Sequence, residues 1–554
     1  MSRLTAACGL VLLLAAATDG AAAPPCLPVT VTNPDGNYLV PGARGGIVYR
    51  RVGDLELKLD VWAPAARTPV PAVLVVHGGG FTSGSRVAFV GQLLETLTDA
   101  GYAWASLDYR LEGPARRKEA LDDVREAVSF LRCRAPELGI DPDRLVLLGE
   151  DTGAWLALSL AHDRHAALAG AALVGGAFPE GPQEPAEAGT PGVPLRFVHG
   201  SDDREQPPAA VEAWCAARRT SGGRCELERV EGASHRAENW WPSQWGYKKR
   251  LVDWLRRVAP APPLATPLAP RPLEELPDRL PPGLHKRLIY APDEGLTLDA
   301  WLPGRAAGVR TTAIVVVHGG GWEAGDRVTY VAPLFEPLAR AGFAWFSIDY
   351  RLTPAVRHPE QLADVRRAVA FVRREAVRFG IDPSRIVLVG ESASGQMVTL
   401  LAADEPGLAG VVSFYGVYDL ERMVTDASPR SLLVRLFGPQ PLDDEARARL
   451  RAYSPLHRAR AGMPPLLLIH GTAERLWEQG VVMAERLAAL RTPHELVRLE
   501  GAPHGLENWE GRPEWMAYKD HLVQWIRALA SRPRDEDGAA HRGAPVDAEG
   551  RRGI

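Results

Sequence analysis

Residues 380–396 read GIDPSRIVLVGESASGQ, and residues 139–155 read GIDPDRLVLLGEDTGAW. In each, a short apolar run ends at a glycine and passes through an acid into small residues. The pattern predicts a buried strand that turns sharply into a helix. A side chain at the apex of such a turn stands above the edge of a sheet, and its neighbours must be small to avoid clashes. The later apex is Ser392, a nucleophile type, and the earlier one is Asp151.

The two windows belong to a longer repeat. VLVVHGGGFTSGSR at 73–86 returns as IVVVHGGGWEAGDR at 314–327, and AGYAWASLDYRL at 100–111 as AGFAWFSIDYRL at 341–352, always 241 residues on. LRFVHGSDD at 195–203 matches LLLIHGTAE at 466–474, and EGASHRAENW at 231–240 matches EGAPHGLENW at 500–509, now about 270 residues on. The second copy therefore carries about 30 extra residues between roughly 415 and 465. A chain of 554 residues is too long for one core, since single cores rarely grow past about 250–300 residues. We expect one domain at 45–257 and another at 284–530. Between them, 258–283 holds nine prolines and reads as a semi-rigid extended linker with little to pack. The charged, glycine-rich stretch 531–554 reads as a disordered tail.

Within each copy, continuous apolar runs alternate with longer amphipathic segments. This argues for a mostly parallel sheet covered by helices on both faces. Composition is that of an ordinary globular protein, 46% hydrophobic and 24% charged, with a formal net charge of -4. Nothing in it points to nucleic acid or an anionic membrane. Arg3, the apolar stretch 8–17 and Ala21-Ala22-Ala23 read as a signal peptide over residues 1–23, which predicts export to the periplasm or medium and no transmembrane segment in the mature chain. In an oxidising compartment the four remaining cysteines become meaningful. Cys215 and Cys225 flank the turn-rich RRTSGGR and are expected to form a local disulfide; a Cys26–Cys133 pair follows only by parity.

The second copy has every part of a nucleophilic hydrolase. Ser392 needs a base, and His504 follows a predicted strand near the domain's end. The base needs an orienting acid, and Glu474 lies just past the strand LLLI. HGGGW at 318–322 follows the strand AIVVV, so Gly320 and Gly321, with the N–H of Ala393, are the candidate oxyanion donors. The usual elbow is G-x-S-x-G, but here Ser394 takes the second glycine position and raises a second candidate nucleophile. Ser392 is preferred because it stands in register with Asp151, whereas Ser394 would have the bulky Gln396 two residues on. No His/Cys/Asp cluster has metal-ligand spacing, so neither metal nor cofactor is expected.

These motifs (HGGGW with GD at 325–326, DYRL at 349–352, GIDPSRI, GESAS, HGxxE and PHG at 503–505) resemble the hormone-sensitive-lipase-like and feruloyl/acetyl-esterase-like carboxylesterases of the α/β-hydrolase fold. The resemblance implies two tandem α/β-hydrolase domains and hydrolysis of short-acyl esters through an acyl-enzyme. The implied substrates are small-molecule or carbohydrate esters, including acetyl or feruloyl groups on polysaccharide. The family usually has Asp where this chain has Glu474. DYRL is read as a structural close to its strand. Rival readings are a serine peptidase of the same fold, or a non-catalytic binding role for the first domain. The first copy keeps Gly79, Gly80, Asp203 and His235 and changes only the nucleophile, to Asp151. An Asp-nucleophile hydrolase would need donors for a leaving group, for which Trp155, Trp240 and Trp241 are on offer. The glycine loop suits acyl transfer better, so the first site reads as a degenerate esterase in which Asp151 and His235 form a shape-preserving ion pair.

Overall fold

The structure is a computed structural model and describes residues 26–176, 192–262, 268–306, 308–428 and 431–530. The signal-like segment 1–23 and the tail 531–554 lie outside the described residues. The first copy forms β1 (Arg44–Val52), β2 (Leu55–Trp62), β3 (Val70–Val76), β4 (Ala103–Leu107), β5 (Ile140–Glu150), β6 (Gly170–Val174), β7 (Leu195–Gly200) and β8 (Cys225–Val230). The second forms β9 (Gly283–Ala291), β10 (Leu296–Leu302), β11 (Thr311–Val317), β12 (Ala344–Ile348), β13 (Ile381–Glu391), β14 (Leu408–Phe414), β15 (Leu466–Gly471) and β16 (His494–Leu499).

The first sheet has the order β1-β2-β4-β3-β5-β6-β7-β8, and the second repeats it as β9-β10-β12-β11-β13-β14-β15-β16. The first two strands of each pair antiparallel and the rest run parallel. Helices pack on both faces, so β3 and β11 are buried at every residue; this is why they read as unbroken apolar runs. The protein is thus two α/β-hydrolase domains in tandem. Disulfides join Cys215 to Cys225 and Cys26 to Cys133, the latter tying the start of the described chain to the helix Arg117–Cys133.

The segment 258–283 was expected to have little to pack. In the structure Leu276 and Leu280 are buried, and the Arg378 guanidinium donates to the carbonyls of Leu276 and Pro277. Its leucines, spaced among the prolines, provide the apolar surface that the proline count obscures. Residues 263–267 of this segment lie outside the described residues.

Each domain has its own core, and a third apolar cluster joins the two. It contains Leu97, Trp104 and Trp254 of the first domain with Phe335, Trp345 and Tyr518 of the second. Tyr38 packs edge-on against Trp301 across the seam, with ring centroids 4.9 Å apart. Beside this cluster lies a buried charge network. Glu95 of the first domain contacts Lys286 and Arg327 of the second, and Asp299 contacts both of the same cations. Among the described residues no helix is long and apolar enough to cross a membrane.

Candidate active site

Both elbows hold the same rare backbone. Asp151 has φ 49° and ψ -119°; Ser392 has φ 54° and ψ -116°. A non-glycine residue here stores about 1–3 kcal/mol of strain. Small neighbours are obligatory: a Cβ on Gly390 would meet the Ser394 carbonyl oxygen at 2.6 Å, and one on Gly149 would meet that of Gly153 at 2.1 Å. The departure at Ser394 also has a physical reason. Its first-copy counterpart is Gly153, where a Cβ would lie 2.1 Å from the Val76 carbonyl oxygen. Ser394 is fully buried and instead donates its hydroxyl to the corresponding carbonyl, Val317, at 2.6 Å, while accepting from the Glu391 N–H. It is a strut of the elbow and does not face the cavity.

Ser392 Oγ lies 3.0 Å from His504 Nε2, and His504 Nδ1 lies 2.6 Å from Glu474 Oε2. The three residues come from the end of β13, the loop after β16 and the loop after β15, so the parallel sheet delivers all of them to one edge. Burial alone would raise the Glu474 pKa, but hydrogen bonds from His470 and His504 outweigh it and hold the carboxylate below its ordinary range. Glu474 serves two histidines, one with each oxygen, where Asp203 of the first copy meets both of its histidines with a single oxygen. Oε1 takes His470 Nδ1 at 3.0 Å while Oε2 takes His504.

Two supports were not legible as such in the sequence. His470, read only as part of the HGxxE frame, is fully buried and anchors the acid. Tyr350 of DYRL, read as a strand close, stacks on His318 at 4.3 Å and donates its hydroxyl to the carbonyls of His318 and Gly319. It therefore braces the glycine loop. Gly320 and Gly321 have φ 89° and 62°, and both line one cavity with Ser392 and His504. Ala393 is the first residue of the helix that follows the elbow.

The first site shows what that loop can hold. Asp151 Oδ2 accepts the Gly79 N–H at 2.9 Å and the Gly80 N–H at 3.4 Å, while Oδ1 lies 3.1 Å from His235 Nε2. His235 Nδ1 is 2.7 Å from Asp203 Oδ2, which also lies 3.1 Å from His199 Nε2. The carboxylate thus occupies the anion position of its own glycine loop. Burial would lower the His235 pKa, but Asp151 and Asp203 together raise it to about 10. An imidazolium has no lone pair left to accept a proton, and the Asp151 oxygen that would attack carbon is bonded to it. Trp155 packs on Phe81, and the buried Trp240 donates its indole N–H to the Ser234 carbonyl, so neither is placed for a leaving group.

The BD-FAE sequence profile matches residues 59–172 and 298–487, more than half of the chain and part of each copy. The chain belongs to the BD-FAE family. The first BD-FAE match includes Asp151 and the second includes Ser392 and Glu474. Among curated relatives, esterase LipC of Mycobacterium tuberculosis is 31% identical over 41% of this chain and 60% of LipC. Carboxylesterase NlhH of the same organism is 28% identical over 35% of this chain and 66% of NlhH. The chain thus spans about 60% of the length of LipC. Among solved structures, a truncated carbohydrate esterase from gut microbiota aligns at 22% identity over 43% of this chain and 91% of that one, with a TM-score of 0.38. Apo esterase 2 of Thermogutta terrifontis aligns at 28% identity over 44% and 92%, with a TM-score of 0.36.

The cavity at Ser392 has a volume of about 1370 Å³ and both domains line it. Val417, Met423, Leu432 and Val434 come from the segment that only the second copy has. The first domain contributes Arg204, Glu205, His235, Asn239 and Trp241. Arg435 of the added segment pairs with Glu323 of the glycine loop at 2.7 Å.

Proposed function

We propose that the protein is an exported serine carboxylesterase whose chemistry is carried out by the second domain. The observation that carries this reading is the continuous Ser392–His504–Glu474 hydrogen-bond chain beside a glycine loop. His504 Nε2 takes the Ser392 proton as Oγ attacks the ester carbonyl. The N–H groups of Gly320, Gly321 and Ala393 receive the oxyanion; the first domain supports this role, because the matching glycines hold a carboxylate oxygen there. His504 then protonates the departing alcohol, leaving an acyl-enzyme. Water, deprotonated by the same histidine, releases the acid. Glu474 stays ionised throughout and balances the imidazolium.

The substrate is a short-acyl ester, with carbohydrate as its alcohol half. The apolar side chains of the added 417–434 stretch receive the acyl group, either acetyl or an aryl acyl such as feruloyl. The first domain is a degenerate copy in which the Asp151–His235 ion pair keeps the shape of the site. Export is supported by the two disulfides, which persist in oxidising compartments.

The deciding experiment is p-nitrophenyl acetate hydrolysis by the full chain and by Ser392→Ala. Turnover is expected to fall about 10³-fold or more. If the variant keeps most of its activity, the chemistry is not at Ser392, and an Asp151→Ala variant would report on the other site.

A further inference from the structure

The loop that carries His235 in the first domain performs no chemistry in the reading above, yet it is built with care and faces the second domain's serine. Gln244 accepts from the Trp241 N–H and donates to the Glu231 carbonyl. The Trp245 indole N–H reaches the Trp240 carbonyl. Tyr330 of the second domain donates its hydroxyl to the Glu238 carbonyl and the Asn239 side chain. The loop is therefore pinned from both domains, and it presents the Trp241 side chain to the cavity. Trp241 is 44% exposed. Among the described residues the other large apolar side chains left so open are Val31, Leu55, Val309 and Val377; only Trp241 is aromatic and only it lines the cavity of Ser392.

The internal repeat supplies a control. The counterpart of Trp241 in EGAPHGLENWE is Glu510, which is buried and paired with Lys519 at 2.6 Å. The fold thus accepts a buried acid at this position and does not require an exposed indole. A Trp side chain offers a large apolar face together with a polar N–H, a combination enriched where one molecule binds another. Arg204, Glu205 and Asn239 of the same domain line the same cavity, and their planar polar groups suit hydroxyls at the ring edge of a sugar. Apart from Trp241, the apolar lining of the same cavity comes from the second domain, from Trp322 and Leu476 as well as from Val417, Met423, Leu432 and Val434 of the added segment.

We propose that the first domain supplies a carbohydrate subsite to the second domain's active site, with Trp241 as the platform on which a sugar ring of the alcohol half stacks. This rests on the esterase reading at Ser392 and deepens it. The degenerate copy is then a substrate-binding wall, and its own site, filled by the Asp151 carboxylate, is a by-product of that division of labour. Trp241 also hydrogen-bonds the Glu323 carboxylate, and Glu323 pairs with Arg435, so a purely structural role as a strut between the domains is the alternative to exclude.

The test compares the full chain with Trp241→Ala and Trp241→Phe on an acetylated xylo-oligosaccharide and on p-nitrophenyl acetate. The readout is the ratio of kcat/KM for the first substrate over the second. In Trp241→Ala the ratio is expected to fall about tenfold, mainly through KM, and Trp241→Phe should recover most of it because a ring is restored. A ratio within about threefold of the unaltered protein, including an equal loss on both substrates as a strut would give, overturns the proposal. Hydrolysis of p-nitrophenyl acetate with none of the oligosaccharide ester by the unaltered protein also overturns it, while leaving the esterase reading intact. If Ser392→Ala keeps p-nitrophenyl acetate activity, it is the esterase reading that has failed.

Discussion

Asp151 shows how a carboxylate can take a nucleophile's place without dismantling the groups around it. The serine position carries a carboxylate, whose two oxygens reach the two groups an acyl-enzyme would have used, the glycine N–H donors and the histidine. The elbow strain persists in both copies, each with a glycine two residues before the apex. The consequence is a pH signature. His235, raised to about 10, is protonated in the folded protein well above its ordinary value of 6.5. Its contribution to stability is therefore fully present below about pH 6.5 and is lost as pH rises through about 10. In Asp151→Asn only Asp203 still supports the cation, so the alkaline loss should begin at lower pH. Thermal melts between pH 6 and 10 check this, and coincident alkaline limbs for the two proteins would refute the ion pair.

The strands and turns explain which parts of the site could be read from sequence. Ser392, His504 and Glu474 were legible because each follows a recognisable strand and because the repeat put their counterparts in register. His470 and Tyr350 were not, since their roles depend on partners in space: one anchors an acid from the far side, the other props two loop carbonyls 31 and 32 residues earlier in the chain. The C-terminal end of β15 illustrates the dependence. It places His470 inside and Glu474 at the rim, and the helix Trp477–Ala489 closes over them through Gly480, where a Cβ would lie 2.8 Å from the His470 ring. Replacing His470 with Leu keeps the volume but leaves Glu474 Oε1 buried without its partner. The expected result is a loss of about 1–3 kcal/mol in stability, together with a fall in kcat that exceeds any rise in KM, because the acid loses its fixed orientation. Denaturant titration and steady-state kinetics measure the two effects, and a variant with unchanged kcat would remove His470 from the site.

How the domains sit together was beyond the sequence altogether. Continuous apolar runs announced two parallel sheets, but nothing in periodicity says that Trp104 and Trp345 share a cluster, or that two sites open on one cavity. The seam depends on charges that read, one by one, as ordinary surface residues. Glu95 lies in the helix Gly91–Asp99 and is buried against Lys286 and Arg327 of the other domain. Burial would raise its pKa; Arg327, Lys286 and Arg287 overcome this and bring it down to about 2. A carboxyl lowered in the folded state contributes stability that is present above its unfolded pKa and lost as pH falls through its folded one. The window here is from about 4.5 down to about 2. Glu95→Ala leaves Lys286 with Asp299 alone and Arg327 with Asp299 and Asp349, and removing one member of a buried pair costs about 3–5 kcal/mol. The unaltered protein should thus exceed Glu95→Ala by that margin at pH 7, and the gap should narrow as the pH is lowered through the same window. Denaturation of both proteins at pH 7 and pH 3 reads the gap directly. A gap of equal size at both values would mean that Glu95 acts by packing alone, and that the seam is held by its apolar cluster.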